Sequence, residues 1–288
     1  MELAMLKYIL FLLAEYYGML DDEERAGIVS RLQSVGTEVM FQNVDPACTV
    51  LMEGIDHAHT LIVTDNSSVF NRLHGEGYYV IALYHEQNRQ QIFQDARYAV
   101  ENLFELEYRS YEEAFQRLAG LPWSILNTKR LKVRESTVSD VEEFYRIYSD
   151  PSITYYMEDL FPEKEQEIAY MKAYVDQIYG FYGYGLWTVI LKETGQIIGR
   201  AGLSVREGYE LPELGFVIDV GHQGKGYAFE VCSAILDYAK KELEFEAVQA
   251  LADKNNVASV HLLEKLGFVF DRNITISDRH YKLFMKKI

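Results

Sequence analysis

The stretch that most constrains this chain is His222-Gln223-Gly224-Lys225-Gly226-Tyr227-Ala228. A β-rich run, Leu214-Gly215-Phe216-Val217-Ile218-Asp219-Val220, leads into it. Phe229, Val231, Ile235, Leu236, Tyr238 and Ala239 follow at helical spacing. The two glycines therefore fall at a strand-to-helix turn. Glycine lets the backbone close around a ligand without a Cβ in the way. The helix start aims N–H groups, and the positive end of the helix dipole, at one point. Such a turn suits a pyrophosphate. The third glycine of the dinucleotide fingerprint is missing, and no Gly-Lys-Ser/Thr follows as in a P-loop. Taken alone, the segment is equally an ordinary tight turn.

About thirty residues on come Asn256-Val257-Ala258-Ser259 and then Glu264-Lys265-Leu266-Gly267-Phe268. Gln223-x-x-Gly226-x-Ala228 resembles the acyl-CoA-binding motif of the GNAT N-acetyltransferase superfamily, and the second pair of strings resembles its next helix. Arg130-Leu131-Lys132-Val133-Arg134-Glu135, with Asp140, resembles the opening of the branch that contains the ribosomal-protein N-terminal acetyltransferases. The resemblance covers residues 129 to 288. It implies an α+β domain with a mixed, mostly antiparallel sheet that moves an acetyl group from acetyl-CoA to a primary amine by direct transfer in a ternary complex. The acceptor is a protein N-terminus or a small-molecule amine. By the same resemblance Gln223, Gly224, Lys225, Gly226, Tyr227 and Ala228 hold the pyrophosphate. Phe216, Val217, Ile218, Asp219 and Val220 offer free backbone to the pantetheine arm, which Asn256 also binds; helix capping is the alternative for Asn256.

Acetyl transfer needs a neutral amine and a stabilised oxyanion. Glu213, at the head of the cradle strand, is the candidate base, a solvated surface glutamate being its other reading; Glu165 and Glu167 compete for the role, or simply favour the dipole at a helix start. Many enzymes of the superfamily carry a tyrosine seven residues after the motif asparagine. Leu263 stands there, which leaves that role vacant. The resemblance to the ribosomal-protein branch, which has a serine where Ser259 stands, implies Ser259 as the acid for the departing thiolate; a coenzyme A thiolate that leaves without an acid is the alternative. Tyr155, Tyr156, Tyr182 and Trp187 belong to aromatic runs that the resemblance places beside the acceptor mouth, where rings and carboxylates suit an amphipathic cation; core packing is the other reading. A non-catalytic acyl-CoA-binding sensor or interaction protein is the alternative from another class.

At 288 residues the chain has room for two domains, set at 1–128 and 129–288 with a linker near Leu121 to Lys129. The fold class is α/β throughout, the first domain being a small α/β domain with a parallel sheet, vaguely like a Rossmann or haloacid-dehalogenase half. Residues 2 to 20 carry a helical spacing, Leu3, Leu6, Ile9, Leu10, Leu13, Tyr17. They and a second helix to Val35 pack on the neighbouring domain or make a homodimer contact. Thr60 to Thr64 reads as a strand ending at Asp65. Ser67 is a candidate cap for the short helix that follows, and Asp65 and Asn66 form either a helix-capping turn or a ligand position at the strand's carboxyl end. A net charge of −16 disfavours nucleic acid and suits a cationic acceptor. Cys48 and Cys232 read as free thiols of a cytoplasmic protein. The apolar run from Leu3 to Ala14 is short of the ~20 residues a membrane span takes. His57, His59, His74 and His85 show no complete ligand set, so no metal is expected.

Overall fold

The structure, a computed structural model, describes residues 5–33, 36–45, 54–277 and 279–288. Two compact units divide the chain, Met1–Trp123 and Ser124–Ile288. The first has a wholly parallel sheet of β1 (Tyr8–Leu13), β2 (Glu38–Asn43), β3 (Thr60–Thr64), β4 (Tyr79–Leu83) and β5 (Ala99–Val100), in the order β2-β1-β3-β4-β5. Its helices are α1 (Asp22–Gln33), α2 (Ser67–Gly75) and α3 (Tyr108–Leu118). Ile9, Phe11 and Leu13 pack with Ile28, Leu32 and Phe115 from α1 and α3, whereas Leu10 and Leu12 pack with Val69, Phe70 and Leu73 from α2. Both faces of β1 are thus buried. Here the expected N-terminal helix is corrected to a strand: a parallel strand covered on both faces is apolar at nearly every position, and such a run contains helical spacings by accident. Asn66, rather than Ser67, caps α2, accepting from Ser68 N and Val69 N. Cys48 lies outside the described residues.

The second unit is built on an eight-stranded sheet in the order β12-β13-β11-β10-β9-β8-β7-β6. Its strands are β6 (Ser124–Asn127), β7 (Leu131–Arg134), β8 (Leu186–Leu191), β9 (Ile197–Ser204), β10 (Glu213–Ile218), β11 (Ala247–Asp253), β12 (Val269–Ile276) and β13 (Arg279–Lys287). Only β10 and β11 run parallel; the other neighbours are antiparallel. The chain is therefore an α/β protein with one parallel sheet and one mixed, mostly antiparallel sheet. The segment expected as linker contains β6, which pairs with β7, so the break falls after Trp123 and not after residue 128.

The helices of this unit are α4 (Val141–Tyr148), α5 (Pro151–Thr154), α6 (Lys164–Ala173), α7 (Gly180–Tyr182), α8 (Tyr227–Lys241) and α9 (Val257–Lys265), with a π-helical stretch, Tyr174–Tyr179, between α6 and α7. Strand alternation decides which residues meet which helix. One cross-strand row, Trp187, Ala201 and Phe216, lies on the α8 face, where Trp187 meets Tyr238 edge-on at 5.6 Å. The next row, Arg134, Thr188, Arg200 and Val217, lies on the α4 face, where the Arg200 guanidinium sits 4.6 Å from the Phe144 ring centroid.

Asp140 ties α4 to that row. It is 2% exposed and accepts from both Arg134 guanidinium NH groups (2.6 and 2.7 Å), Thr137 N (2.9 Å) and Thr188 Oγ1 (2.8 Å). Asp140→Ala leaves the half-buried Arg134 without its carboxylate, and breaking a buried pair on one side costs about 3–5 kcal/mol. Urea unfolding is expected to show a loss of that order; a loss below about 1 kcal/mol would mean that Arg134 finds another acceptor.

Candidate active site

The site begins where two parallel strands part. β10 pairs with β9 along its whole length, Glu213 to Ile218, but with β11 only at Glu213 opposite Gln249. From Leu214 to Ile218 the backbone has no strand partner on the β11 side. A cavity of about 600 Å³ fills the wedge. Its walls are Leu214 to Val217 of β10, Leu251 to Asp253 of β11, Asn256 and Ser259 of α9, and Tyr148, Tyr156 and Met157.

The glycine turn lies beyond the far end of β10. Gly224 has φ +72° and Gly226 φ +82°, left-handed conformations that an L side chain strains to adopt. Gly226 is the N-cap of α8 and supplies no side-chain cap. The first helical bond runs from Glu230 N to Gly226 O at 3.1 Å, so Tyr227, Ala228 and Phe229 present N–H groups ahead of it. The turn is braced from outside. Arg130 donates to Lys225 O (3.0 Å), stacks 4.3 Å from the Tyr227 ring centroid, and pairs with Glu230 at 2.6 Å. Burial alone would raise the Glu230 carboxyl, but hydrogen bonds from Thr128 and Arg130 hold it below its ordinary value. Asp219 behaves in the same way: burial pushes it up, and His222 and Arg146 bring it below the usual carboxylate range.

These contacts divide the expected cofactor residues. Phe216 and Val217 line the cavity, and Asn256 joins them. Asn256 also caps α9 through Oδ1, accepting from Ser259 N at 3.1 Å, so both readings of this residue hold at once. Gln223 is turned inward: Nε2 donates to Ile218 O (2.9 Å) and its backbone N–H to Val220 O (3.2 Å). Lys225 Nζ folds onto Gly221 O. Gln223 and Lys225 therefore shape the turn. Ile218 is buried, Val220 is exposed, and Asp219 is held by His222 and Arg146. Gly224, Gly226, Tyr227 and Ala228 form the turn and the first residues of α8.

Glu213 and Ser259 both face the cavity. Glu213 is 8% exposed, and its two oxygens accept from Arg206 Nε and from Arg206 NH2, the latter at 2.8 Å. That bond raises the Arg206 guanidinium further above its ordinary value. The competing glutamates are elsewhere: Glu165 is exposed on α6, and Glu167 is buried, accepting from Phe161 N. Leu263 is a core residue, 1% exposed.

Of the four acceptor aromatics only Tyr156 lines the cavity. Trp187 is corrected to the core: it is fully buried against Tyr238, because its neighbour Leu186 takes the cavity-facing position of β8. Tyr155 points outward, 73% exposed, edge-on to Tyr156, and Tyr182 sits against Tyr184 away from the cavity. The structure adds Tyr148, Arg200, Arg206, Glu158, Arg279 and Tyr281 to the walls. Cys232 is buried within α8, and burial pushes its thiol far up.

In the first unit Asp65 accepts from Ala14 N (2.7 Å) and Tyr16 N (2.6 Å), tying down the loop after β1. His57 stacks on Tyr78, His74 on Phe70, His59 bonds Asp56, and His85 lies 3.5 Å from Asp65. Among the described residues no three His, Cys, Asp or Glu side chains gather as metal ligands, and no helix is long and apolar enough to cross a membrane.

Residues 130–269 match the family described as the acetyltransferase (GNAT) domain. The N-acetyltransferase YnaD of Bacillus subtilis is 31% identical over 143 residues, 49% of this chain and 81% of that protein. The B. subtilis protein YkkB is 28% identical over 165 residues, covering 56% of this chain and 95% of that one. A GNAT-family acetyltransferase from Bordetella pertussis superposes with a TM-score of 0.51 at 20% identity, over 57% of this chain and 99% of the other. The ribosomal L7/L12 α-N-protein acetyltransferase RimL, solved in complex with coenzyme A, gives a TM-score of 0.50 at 12% identity over 58% and 98%. This chain belongs to the GNAT family of N-acetyltransferases, whose fold binds acetyl-CoA.

Proposed function

We propose that the unit Ser124–Ile288 binds acetyl-CoA along the open edge of β10 and transfers its acetyl group to a primary amine in a ternary complex. The observation that carries this reading is the parting of β10 from β11 after one residue pair, with the cavity in the gap. An unpaired strand edge offers alternating N–H and C=O groups to an extended amide-bearing chain. The pantetheine arm is such a chain. The residues at hand fit the rest of the molecule: unused N–H groups at Tyr227 to Phe229, behind two left-handed glycines, suit a pyrophosphate. When bound, acetyl-CoA supplies the activated acyl group.

Glu213 takes the proton from the acceptor amine, directly or through water. Each carboxylate oxygen has a second acceptor position beyond the one Arg206 uses, and Arg206 fixes its orientation. Ser259, in the first turn of α9 at the cavity wall, is placed to hold a proton for the departing sulfur. The acceptor is a small-molecule amine or a protein N-terminus. The first unit is a separate parallel-sheet domain that contributes no motif residue.

The test is a thiol-release assay of the full chain with acetyl-CoA over a panel of amines and N-terminal peptides. Turnover above hydrolysis with at least one acceptor is expected. Acetyl-CoA binding without turnover on any acceptor would make the protein an acyl-CoA-binding module instead.

A further inference from the structure

Arg200 is the most deeply buried arginine of the second unit, at 6% exposure, and it stands in the middle of β9. Other arginines of the unit are matched to carboxylates: Arg130 to Glu230, Arg134 to Asp140, Arg146 to Glu143 and Asp219, and Arg206 to Glu213. Arg200 has no ion pair among the described residues; it donates a hydrogen bond to the Tyr148 hydroxyl, and its Nε is wholly buried without a partner. The face of Phe144 is its one identified close cationic contact. A ring face attracts the charge but satisfies none of the five N–H donors of a guanidinium. An arginine cannot escape by losing its proton. A buried cation without a counter-ion is costly, and such groups are normally paired. Arg200 also lines the cavity. The missing anion therefore has a place to come from.

We propose that Arg200 is the anion receptor of the acceptor site, and that the acceptor amine carries a carboxylate. The proposal rests on the transferase reading above. Acetyl-CoA, though itself anionic, is not the partner that this geometry favours. Arg200 lies in the row facing α4, and α8, whose start carries the glycine turn, packs on the opposite face against Trp187. Along β9, Arg200 stands four residues from Ser204, which pairs with Glu213. At ~3.3 Å per residue that is ~13 Å between backbones, and both side chains reach into the one cavity. A compact acceptor can therefore rest its carboxylate on Arg200 while its amine is turned toward Glu213. An amine without an anionic group leaves the guanidinium unmatched and is disfavoured for that reason.

The experiment uses the full chain in calorimetry with coenzyme A present. The probes are glycine, β-alanine, 4-aminobutanoate and glutamate, each beside its carboxamide, and C-terminally amidated dipeptides that begin with Asp or Glu. At least one carboxylate is expected to bind about 10- to 100-fold more tightly than its amide, the range of a charge-assisted hydrogen-bonded pair. The free amino acids against the acidic dipeptides tell whether the carboxylate belongs to a small molecule or to a peptide side chain. In Arg200→Met the preference is expected to collapse to within about threefold, with coenzyme A affinity retained and the melting temperature at or above that of the native protein, because an unpaired buried charge is replaced by an apolar chain of similar length. Arg200→Lys keeps the charge and is expected to keep part of the preference; it serves where the methionine variant does not fold. Equal affinity across the pairs, no binding by any carboxylate, or a preference that survives in Arg200→Met overturns the proposal. Coenzyme A affinity of the native protein, read in the same instrument, tests the transferase reading separately.

Discussion

Glu213→Gln is expected to slow acetyl transfer by about 10²- to 10⁴-fold, the usual contribution of a positioned base, while acetyl-CoA affinity stays within about twofold. The acceptor is an amine, and a free primary amine with a pKa near ~10 is almost wholly protonated at neutral pH. Its proton must leave before nitrogen can attack. Glu213 is the carboxylate at the point where β10 and β11 separate, and it faces the cavity from a nearly buried position. Arg206 holds both of its oxygens, which sets the direction of the remaining acceptor positions. Glutamine keeps the shape and one acceptor oxygen but removes the base and the charge that Arg206 matches. Raising the pH supplies neutral amine from solution, so the variant should recover part of its rate toward pH 9. Glu165→Gln and Glu167→Gln are expected to lose much less, since neither side chain lines the cavity. A Glu213→Gln enzyme with near-native rates from pH 6 to 9 would show that the proton leaves by another route.

How far such a site can be read without coordinates varies from residue to residue, for physical reasons. The glycine turn was legible because left-handed backbone at a strand-to-helix junction is a local demand, and Gly224 and Gly226 answer it locally. The mixed, mostly antiparallel sheet around it is implied by the family resemblance that this turn and Asn256 to Phe268 carry. The errors came from properties that are not local. Tyr8 to Leu13 is buried on both faces, so its apolar run does not show the alternation that marks a half-covered strand. The family resemblance sets Trp187 beside the acceptor mouth, with core packing as the other reading, and a one-residue step along β8 decides whether a side chain meets the cavity or α8. Arg206 and Glu213 are seven residues apart in the chain; the β9–β10 hairpin brings them together, with Ser204 opposite Glu213. Arg200 did leave a signal. It is the single charge in Ile197-Ile198-Gly199-Arg200-Ala201-Gly202-Leu203, a stretch otherwise suited to the core. What the sequence does not show is that, among the described residues, no carboxylate pairs with it.

Gly226→Asp should weaken coenzyme A binding by at least about 100-fold, the equivalent of losing one or two charge-assisted hydrogen bonds. The variant is chosen because it should fold. A Cβ at this position meets only Arg130 NH2, at 3.5 Å, an ordinary contact. The cost is the backbone angle, φ +82°, which aspartate tolerates better than most residues, at ~1–2 kcal/mol. Some of that is returned, since aspartate is a favoured N-cap and α8 has no side-chain cap. Its carboxylate would accept from the same N–H groups, ahead of Glu230, that the proposal assigns to the pyrophosphate. The substitution thus fills the anion site from within and sets a fixed negative charge against an incoming one. Gly226→Asn has nearly the same shape without the charge, and it should lose less affinity than the aspartate variant. Pantetheine, which lacks the pyrophosphate, should bind the native and Asp variants alike, since the arm lies along β10 and not at the turn. Circular dichroism establishes that the helix content is kept. Coenzyme A affinity within about threefold of native in a folded Gly226→Asp protein would place the pyrophosphate away from the start of α8.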